Sequence, residues 1–531
     1  MLTLMPTFKS EADHPEMDPV VELATLFKQN DVQFSLLFTE QMPDLRRLLY
    51  QIGLESFPWT NVFDDIQHIR SKAGLPFSIQ DVVLPADVTP YFIGNEVIYF
   101  RGSERVMQVH LHDDGFVYSV RQQLPDKKTL VEQYDDRGFV TTRTLTDANG
   151  SQKKDWLDDY GHVILTQTKQ GVTVAANQKD RFAAAHYHSM QDIVYEFLMK
   201  RSMQIEQSLQ VVTNLSTQTL ELRSGQPLLK QMIFLVNQRL NVVPKEMMSV
   251  SDKDIFVFPT SADQELFVRA AAASDFHGHL PQIQKRVIPQ YATDLKLGIS
   301  NETALDLIYW RLGDIQENES RRLFLKLLDM LRHADDQTLV AEGTKDQVEM
   351  IQDQLAAYVM DRFEVDLESK DYQAVANFAA DQRSDKPVAG MAARAKKVHA
   401  LPDWQQLSAA EFIVSRVHVQ ESQHDSQEAT MHQARIYVDT ATIPDLRLMI
   451  SAISHGVPLL VRQANTLIRD HQNGIIIQDL AEIPEASRYF LKTLRHWNDA
   501  LVVNAELIET FSANHLIEKW QEVMAVGKTS N

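Results

Sequence analysis

Apolar residues recur at helical spacing over 19–30, where Val20, Leu23, Ala24 and Phe27 share one face. The run VQFSLLF at 32–38 reads as a buried strand, and 43–54, with Pro43 at its start, as a second helix. Helices alternating with apolar strands indicate an α/β domain. The pattern changes near residue 90. From about 96 to 176 the chain is a succession of Val-, Thr-, Tyr- and Phe-rich runs, including EVIYF, RVMQVHLH, FVYSVRQQL, TLVEQY and FVTTRTLT. His112-Asp113-Asp114-Gly115, Asp135-Asp136-Arg137-Gly138, Asp147-Ala148-Asn149-Gly150 and Asp158-Asp159-Tyr160-Gly161 punctuate them. Asp, Asn and Gly accommodate left-handed turn positions, so these are hairpin connections of an antiparallel meander. An amphipathic helix is expected over 187–210, with Ile193, Val194, Phe197, Leu198 and Ile205 as its stripe, and buried strands over 231–237 and 254–260.

From about 275 a second α/β series begins. Strands are expected at 338–343, 362–368, 434–440, 457–462 and 474–479, and helices at 345–359, 446–456 and 486–494. Residues 381–404 and 418–433 read as irregular. The expected divisions are 1–92, the first part of an N-terminal lobe; 93–177, the inserted meander; 178–272, the rest of that lobe; 273–500, a C-terminal lobe; and 501–531, a terminal helix and tail.

Length and charge narrow the function. At 531 residues, three or four domains are expected. The net charge of -20 opposes phosphate-backbone binding, so no nucleic-acid partner is expected. The absence of cysteine excludes disulfides and thiolate metal sites. The acidic N-terminus does not read as a signal peptide, and no apolar run reaches the ~20 residues of a bilayer span. A cytoplasmic protein without direct membrane insertion is expected. His110 with His112, His186 with His188 and His277 with His279 are paired, but no third metal ligand stands at motif spacing. Most paired carboxylates start turns, and Trp497 and Trp520 sit at core positions of helices.

The stretch 434–520 carries the most specific signal. A helix ends in Gly456-Val457-Pro458, the turn His471-Gln472-Asn473-Gly474 precedes a short strand, and Phe511-Ser512 opens the last helix. This order resembles the donor-binding lobe of GT-B glycosyltransferases. In retaining members of that family two glutamates, separated by seven residues, precede the Gly-x-Pro and hold the donor; here those positions are Ile443 and Ser451. Neither carries charge, and Ile443 cannot accept a hydrogen bond. The usual Arg and Lys pair for a diphosphate has no counterpart either.

Over residues ~60–520 the chain also resembles a narrower family, the first accessory protein (Asp-one) of the accessory Sec system. The resemblance rests on Phe63-Asp64-Asp65-Ile66-Gln67, Tyr134-Asp135-Asp136-Arg137-Gly138-Phe139-Val140, Asp155-Trp156-Leu157, Leu494-x-x-Trp497-Asn498 and Trp520. The family opens with an aromatic strand, from which Met1–Asp18 departs, leaving the first strand and its loop unassigned. The resemblance implies an α/β, GT-B-like fold of two Rossmann-like lobes with an inserted antiparallel β-sheet domain. It implies no enzyme activity and no cofactor. Its implied partners are two other accessory Sec proteins (a carbohydrate-modifying enzyme and a small subunit), a SecA-type motor feeding a SecY-type channel, and a glycosylated serine-rich adhesin as cargo, with the protein peripheral at the inner membrane face. Ser451, Gly456, His471, Asn473 and Gly474 are then vestigial donor-pocket positions. The alternative readings are an active GT-B transferase that modifies the adhesin from a UDP-sugar, and a free-standing carbohydrate-binding protein using the meander.

Overall fold

The computed structural model describes residues 2–10, 14–204, 210–225, 231–236, 245–274, 283–383 and 390–526. Ile205 and the His277 and His279 pair lie outside them. The chain divides into two compact units, one of Met1–Pro259, Gln264–Gln290 and Lys519–Asn531, the other of Thr260–Asp263 and Tyr291–Glu518.

The N-terminal unit begins with β1 (Leu2–Met5), β2 (Phe34–Phe38) and β3 (Trp59–Asn61). Ten antiparallel strands follow. They are β4 (Thr89–Ile93), β5 (Glu96–Arg101), β6 (Glu104–Leu111), β7 (Val117–Leu124), β8 (Lys128–Tyr134), β9 (Val140–Thr146), β10 (Gln152–Leu157), β11 (Val163–Thr168), β12 (Gly171–Val174) and β13 (His186–Tyr187). They pair in unbroken sequence order, as a meander must. The chain then returns through β14 (Gln210–Asn214), β15 (Gln231–Leu235), β16 (Ile255–Phe258) and β17 (Gln284–Val287), giving a seven-stranded parallel sheet ordered β17-β16-β15-β14-β1-β2-β3. This is the doubly wound order, with the meander inserted where the chain crosses back from the third strand to the fourth.

The unassigned N-terminus is therefore a central strand. LTLM is buried at all four positions and pairs with β14 on one side and β2 on the other. A parallel strand covered on both faces needs only a short apolar run, and no aromatic. Asp18 anchors the loop that follows. Its carboxylate accepts from Thr7 N at 2.8 Å, from Asn214 Nδ2 at 2.9 Å, and from Val20 N at 2.8 Å, where it caps the helix Pro19–Gln29.

The C-terminal unit holds β18 (Asp306–Arg311), β19 (Gln337–Gly343), β20 (Val417–Glu421), β21 (Ala434–Asp439), β22 (Leu459–Val461) and β23 (Gly474–Ile476), all parallel and ordered β20-β19-β18-β21-β22-β23. Numbered within the unit this is 3-2-1-4-5-6, the dinucleotide-fold order. Three expectations fail here. Residues 362–368 are not a strand: the helix Lys345–Phe363 runs into them and stops at Glu364, which takes a left-handed φ of 57°. The polar stretch 418–433 is not irregular: it holds most of β20 and the helix His424–Gln433. β20 has one neighbour only, so its exposed positions are polar and the alternation is faint. Within 381–404, Met391–Val398 is a helix. The sequence pattern does not reveal β4, β10 or β18, and the helix expected at 187–210 spans Met190–Gln204 among the described residues.

Three of the sequence motifs meet where the meander joins the parallel sheet. Phe63, on the helix Val62–Gln67, stacks on Trp156 with ring centres 5.2 Å apart. The buried Gln67 amide donates to Leu157 O at 2.7 Å and Thr141 O at 2.8 Å. The Arg137 guanidinium, only 5% exposed, forks to both Asp64 oxygens at 2.9 Å and to the two Asp135 oxygens at 2.6 and 2.8 Å. Gly138 closes that turn at φ 93°, and a Cβ there would lie 2.3 Å from Leu75 O, so only glycine fits.

Asp136, next in the turn, accepts from Arg47 N at 3.0 Å. Burial first, and the Asp135 charge second, push its pKa up to about 6. The folded protein thus holds this proton more tightly than the unfolded chain, and stability falls as pH rises from about 4 through about 6. Asp136→Asn removes the ionisation. Its unfolding free energy, relative to the parent, is expected to improve steadily between pH 4 and pH 7 in urea titrations; a difference independent of pH would contradict this.

Candidate functional site

In doubly wound sheets ligands bind beyond the carboxyl ends of the strands, where the strand order reverses. In the C-terminal unit that point lies between β18 and β21. Their last residues, Arg311 and Asp439, are register partners. Asp439 is 1% exposed. It receives Arg311 Nη1 at 3.2 Å, Tyr437 OH at 3.0 Å, Ala441 N at 2.9 Å and Asp445 N at 2.8 Å. Arg311 also faces Asp445 at 3.6 Å, and Asp445 caps the helix Leu446–Ser454 through Leu448 N at 3.1 Å. Burial raises the pKa of Asp439, and Arg311 opposes that rise. Burial works against the Arg311 charge, but Asp439, Tyr437 and Asp445 together outweigh it and the net shift is upward.

The two loops beyond these strands touch directly. Thr440 N donates to Arg311 O at 3.1 Å, the Thr440 hydroxyl to Leu312 O at 2.9 Å, and Trp310 Nε1 to that hydroxyl at 3.0 Å. Thr442 N reaches Asp314 Oδ1 at 2.6 Å. Gly313, at φ 62°, lies so close that a Cβ would stand 2.5 Å from Ala441 Cβ. One strand over, Glu342 at the end of β19 is fully buried. It accepts from Tyr309 OH, from Gln427 Nε2 at 2.7 Å, from Ser422 Oγ at 3.1 Å and from Gln420 Nε2 at 3.3 Å. Arg311, Asp439 and Glu342 are thus engaged by the protein itself, while buried Arg447 donates from Nη2 to Gln427 and, among the described residues, has no hydrogen-bond partner at Nε or Nη1.

The two positions read as standing where retaining GT-B enzymes carry glutamates differ in setting. Ile443 is half-buried in the loop before the helix Leu446–Ser454, and Ser451 is buried within that helix. A carboxylate does reach Ser451, from Glu428 on the preceding helix. Burial pushes the Glu428 pKa up, but Lys296 at 3.4 Å and the Ser451 hydroxyl more than offset that, leaving it below the usual range. No spacing in the sequence points to Glu428, because it arrives by packing of one helix on another.

Gly456, Asn473 and Gly474 form one packing unit, and His471 joins it only through its backbone, its N–H donating to Gly474 O at 2.7 Å. Gly456 at φ 73° ends the helix with its N–H on Ile453 O at 2.9 Å and Val457 N on Ala452 O at 2.8 Å, a complete Schellman cap. Fully buried Asn473 receives Arg469 N at 2.7 Å and donates to Leu467 O and Asn504 Oδ1, each at 3.0 Å. Asn504 in turn donates to Val457 O at 3.2 Å, which ties the turn to the glycine loop. Gly474 begins β23, where a Cβ would meet Leu459 O at 2.3 Å. The His471 side chain is 64% exposed and pairs with Asp470 at 3.0 Å.

The histidine pairs have ordinary partners: His110 faces Glu96 at 3.3 Å and His186 faces Thr173 at 3.1 Å. Among the described residues no three His, Asp or Glu gather as metal ligands. No described helix is long and apolar enough to cross a membrane. Trp497 and Trp520 are buried, Trp520 edge-on to Phe27 at 6.0 Å.

The profile of the accessory Sec system protein Asp-one family matches residues 5–526. The chain belongs to this family. The family member from Staphylococcus aureus (strain NCTC 8325 / PS 47) is 22% identical over 526 residues, covering 96% of this chain and 93% of its own length. Accessory secretory protein 1,2 and 3 of Streptococcus pneumoniae, as a crystal structure, superposes with a TM-score of 0.72 at 17% identity and full coverage of both chains. The pneumococcal O-GlcNAc transferase GtfA in complex with UDP and GlcNAc gives a TM-score of 0.63 at 13% identity, covering 99% of each chain. This member of the accessory Sec family therefore has the GT-B-like fold, with the antiparallel insert that the sequence suggested. Within that fold, Asn473→Ala is expected to cost roughly 2–4 kcal/mol in denaturant unfolding, because it orphans buried groups on three sides. A loss below about 1 kcal/mol would show that the turn does not depend on this amide.

Proposed function

We propose that the chain is a non-catalytic, GT-B-like scaffold subunit of the accessory Sec complex, needed for export of glycosylated serine-rich adhesins. The observation that carries this reading is the switch point of the C-terminal unit. Arg311, the cation at its centre, is held by Asp439 and Asp445, and the loops that flank a bound donor in such folds are bonded to each other. Ile443 and Ser451 bring no charge, and the Glu428 carboxylate beside Ser451 is taken up by Lys296. A sugar nucleotide needs cationic groups for its diphosphate and acceptors for its hydroxyls, and here Arg311, Asp439 and Glu342 are already engaged. Family membership over residues 5–526 supplies the context of export.

On this reading the partners are two further accessory Sec proteins, one a carbohydrate-modifying enzyme and one small, together with a SecA-type motor and the adhesin. The protein works in the cytoplasm, held at the membrane face through the translocase. The lobes are taken to divide near 1–92, 93–177, 178–272, 273–500 and 501–531, with β4, β13 and β17 reaching past those divisions. Ser451, Gly456, His471, Asn473 and Gly474 mark the vestige of a donor pocket, with Gly456, Asn473 and Gly474 kept for packing. Affinity purification of the tagged chain from its native cells tests the reading. Recovery of two accessory partners with the motor or the adhesin is expected. Recovery of the chain alone, under conditions that preserve Sec complexes, would overturn it.

A further inference from the structure

The ten-stranded sheet of the N-terminal unit ends at β4, which has β5 as its one neighbour. Sheet edges are ordinarily guarded by charge, bulges or a covering loop, because an open strand is a template for another. β4 reads Thr-Pro-Tyr-Phe-Ile, and all five residues are exposed. No charged residue stands between Asp87 and Glu96.

The apolar face of the sheet runs out uncovered at this strand. Phe92 lies opposite Val97 and Pro90 opposite Tyr99 in the ladder, so the four share a face. Val97 and Tyr99 belong to a buried cluster of the meander with Val82, Met107 and Val109. Phe92 continues that face at 74% exposure, against 1% for Val97. On the other face Tyr91 stands edge-on to Phe100 at 5.3 Å, and Tyr91 and Ile93 are both exposed. A body laid on one face would leave the other bare, whereas a further strand meets both.

The backbone favours the same occupant. Gly94-Asn95 is a two-residue turn between Ile93 and Glu96, with Gly94 at φ 55°. Such a turn is flanked by a hydrogen-bonded pair, and bonded and non-bonded pairs alternate from there. Thr89, Tyr91 and Ile93 therefore turn their backbone groups to β5, while Phe92 N–H, Phe92 C=O and Pro90 C=O point away from the sheet. Pro90 has no N–H to give, which limits pairing to a short stretch around Phe92.

Charge narrows whose strand it is. The turn end of β4 is acidic, with Glu96 and with Asp113 held by the Asn95 amide. At the other end Arg101, which donates to Ala86 O at 3.3 Å, balances Asp87. A second copy of this chain suits the edge poorly, because each copy brings a charge of -20. We propose that β4 is a docking edge for an extended segment of a different protein, which adds as a further antiparallel or parallel strand, sets an apolar side chain beside Phe92 and brings a basic residue to Glu96 and Asp113. This assignment stands whether or not the export reading does.

The test uses the full chain and fluorescently labelled octapeptides of alternating threonine and valine, one with a lysine at each end and one with a glutamate at each end. In anisotropy titrations the lysine peptide is expected to saturate with a Kd below about 1 mM, and the glutamate peptide to bind about tenfold more weakly. Phe92→Pro removes the outward N–H and no bond to β5, so it is expected to weaken the lysine peptide at least about tenfold at an unchanged melting temperature. A fully N-methylated lysine peptide probes the same bonds on the parent protein and is expected not to bind. Amide exchange followed by mass spectrometry is expected to slow over residues 88–95 when the lysine peptide is bound. No saturable binding, equal binding of the N-methylated peptide, equal binding by a folded Phe92→Pro protein, or protection that spares 88–95 would each overturn the proposal. So would equal binding of the glutamate peptide, or a dimer of the parent chain in sedimentation velocity that Phe92→Pro abolishes, since the edge would then serve a second copy.

Discussion

A buried charge must find its counter-charge inside the protein, and that constraint organises both units. In the N-terminal unit the buried fork of Arg137 draws Asp64, from the helix after β3, and Asp135, from a meander turn, onto one guanidinium. Removing Arg137 would leave two buried carboxylates facing each other without a counter-charge, so the ten-stranded sheet and the parallel sheet are fixed to each other by charge as well as by shape. The Phe63–Trp156 stack and the Gln67 amide pack around this pairing.

In the C-terminal unit the same rule gives a different outcome. Doubly wound sheets concentrate helix N-termini and polar loops at the switch point, which makes the region a ready site for anionic ligands. Here Asp439 occupies it from within, and Arg311, Asp445 and two backbone amides complete the pairing. A network of this kind stabilises the fold without a ligand. The absence of charge at Ile443 and Ser451 and the pairing of Arg311 with Asp439 both fit the proposed non-catalytic reading. The architecture persists because Gly456, Asn473 and Asn504 bind its loops together.

Features governed by local chemistry are legible in the sequence. The Asp- and Asn-Gly turns announce the meander, and each of the four closes with the expected backbone bond to its glycine. The order of Gly456, Pro458, Asn473 and Gly474 discloses the GT-B-like lobe. What cannot be read depends on neighbours distant in sequence. LTLM at the N-terminus is too short to stand out until β14 and β2 flank it. β20 looks polar because one of its edges is open. Arg311, Asp439 and Glu342 sit at strand ends, where charge ordinarily signals solvent, and only the sheet order brings the first two into register.

Calorimetric titration of the full chain with UDP-N-acetylglucosamine, paired with an assay for its hydrolysis, asks whether the switch point of the C-terminal unit is closed to sugar nucleotides. A closed switch point gives no saturable heat up to millimolar nucleotide and no release of UDP above background, and that is the predicted result. Micromolar binding accompanied by turnover would contradict it and establish the protein as a working glycosyltransferase.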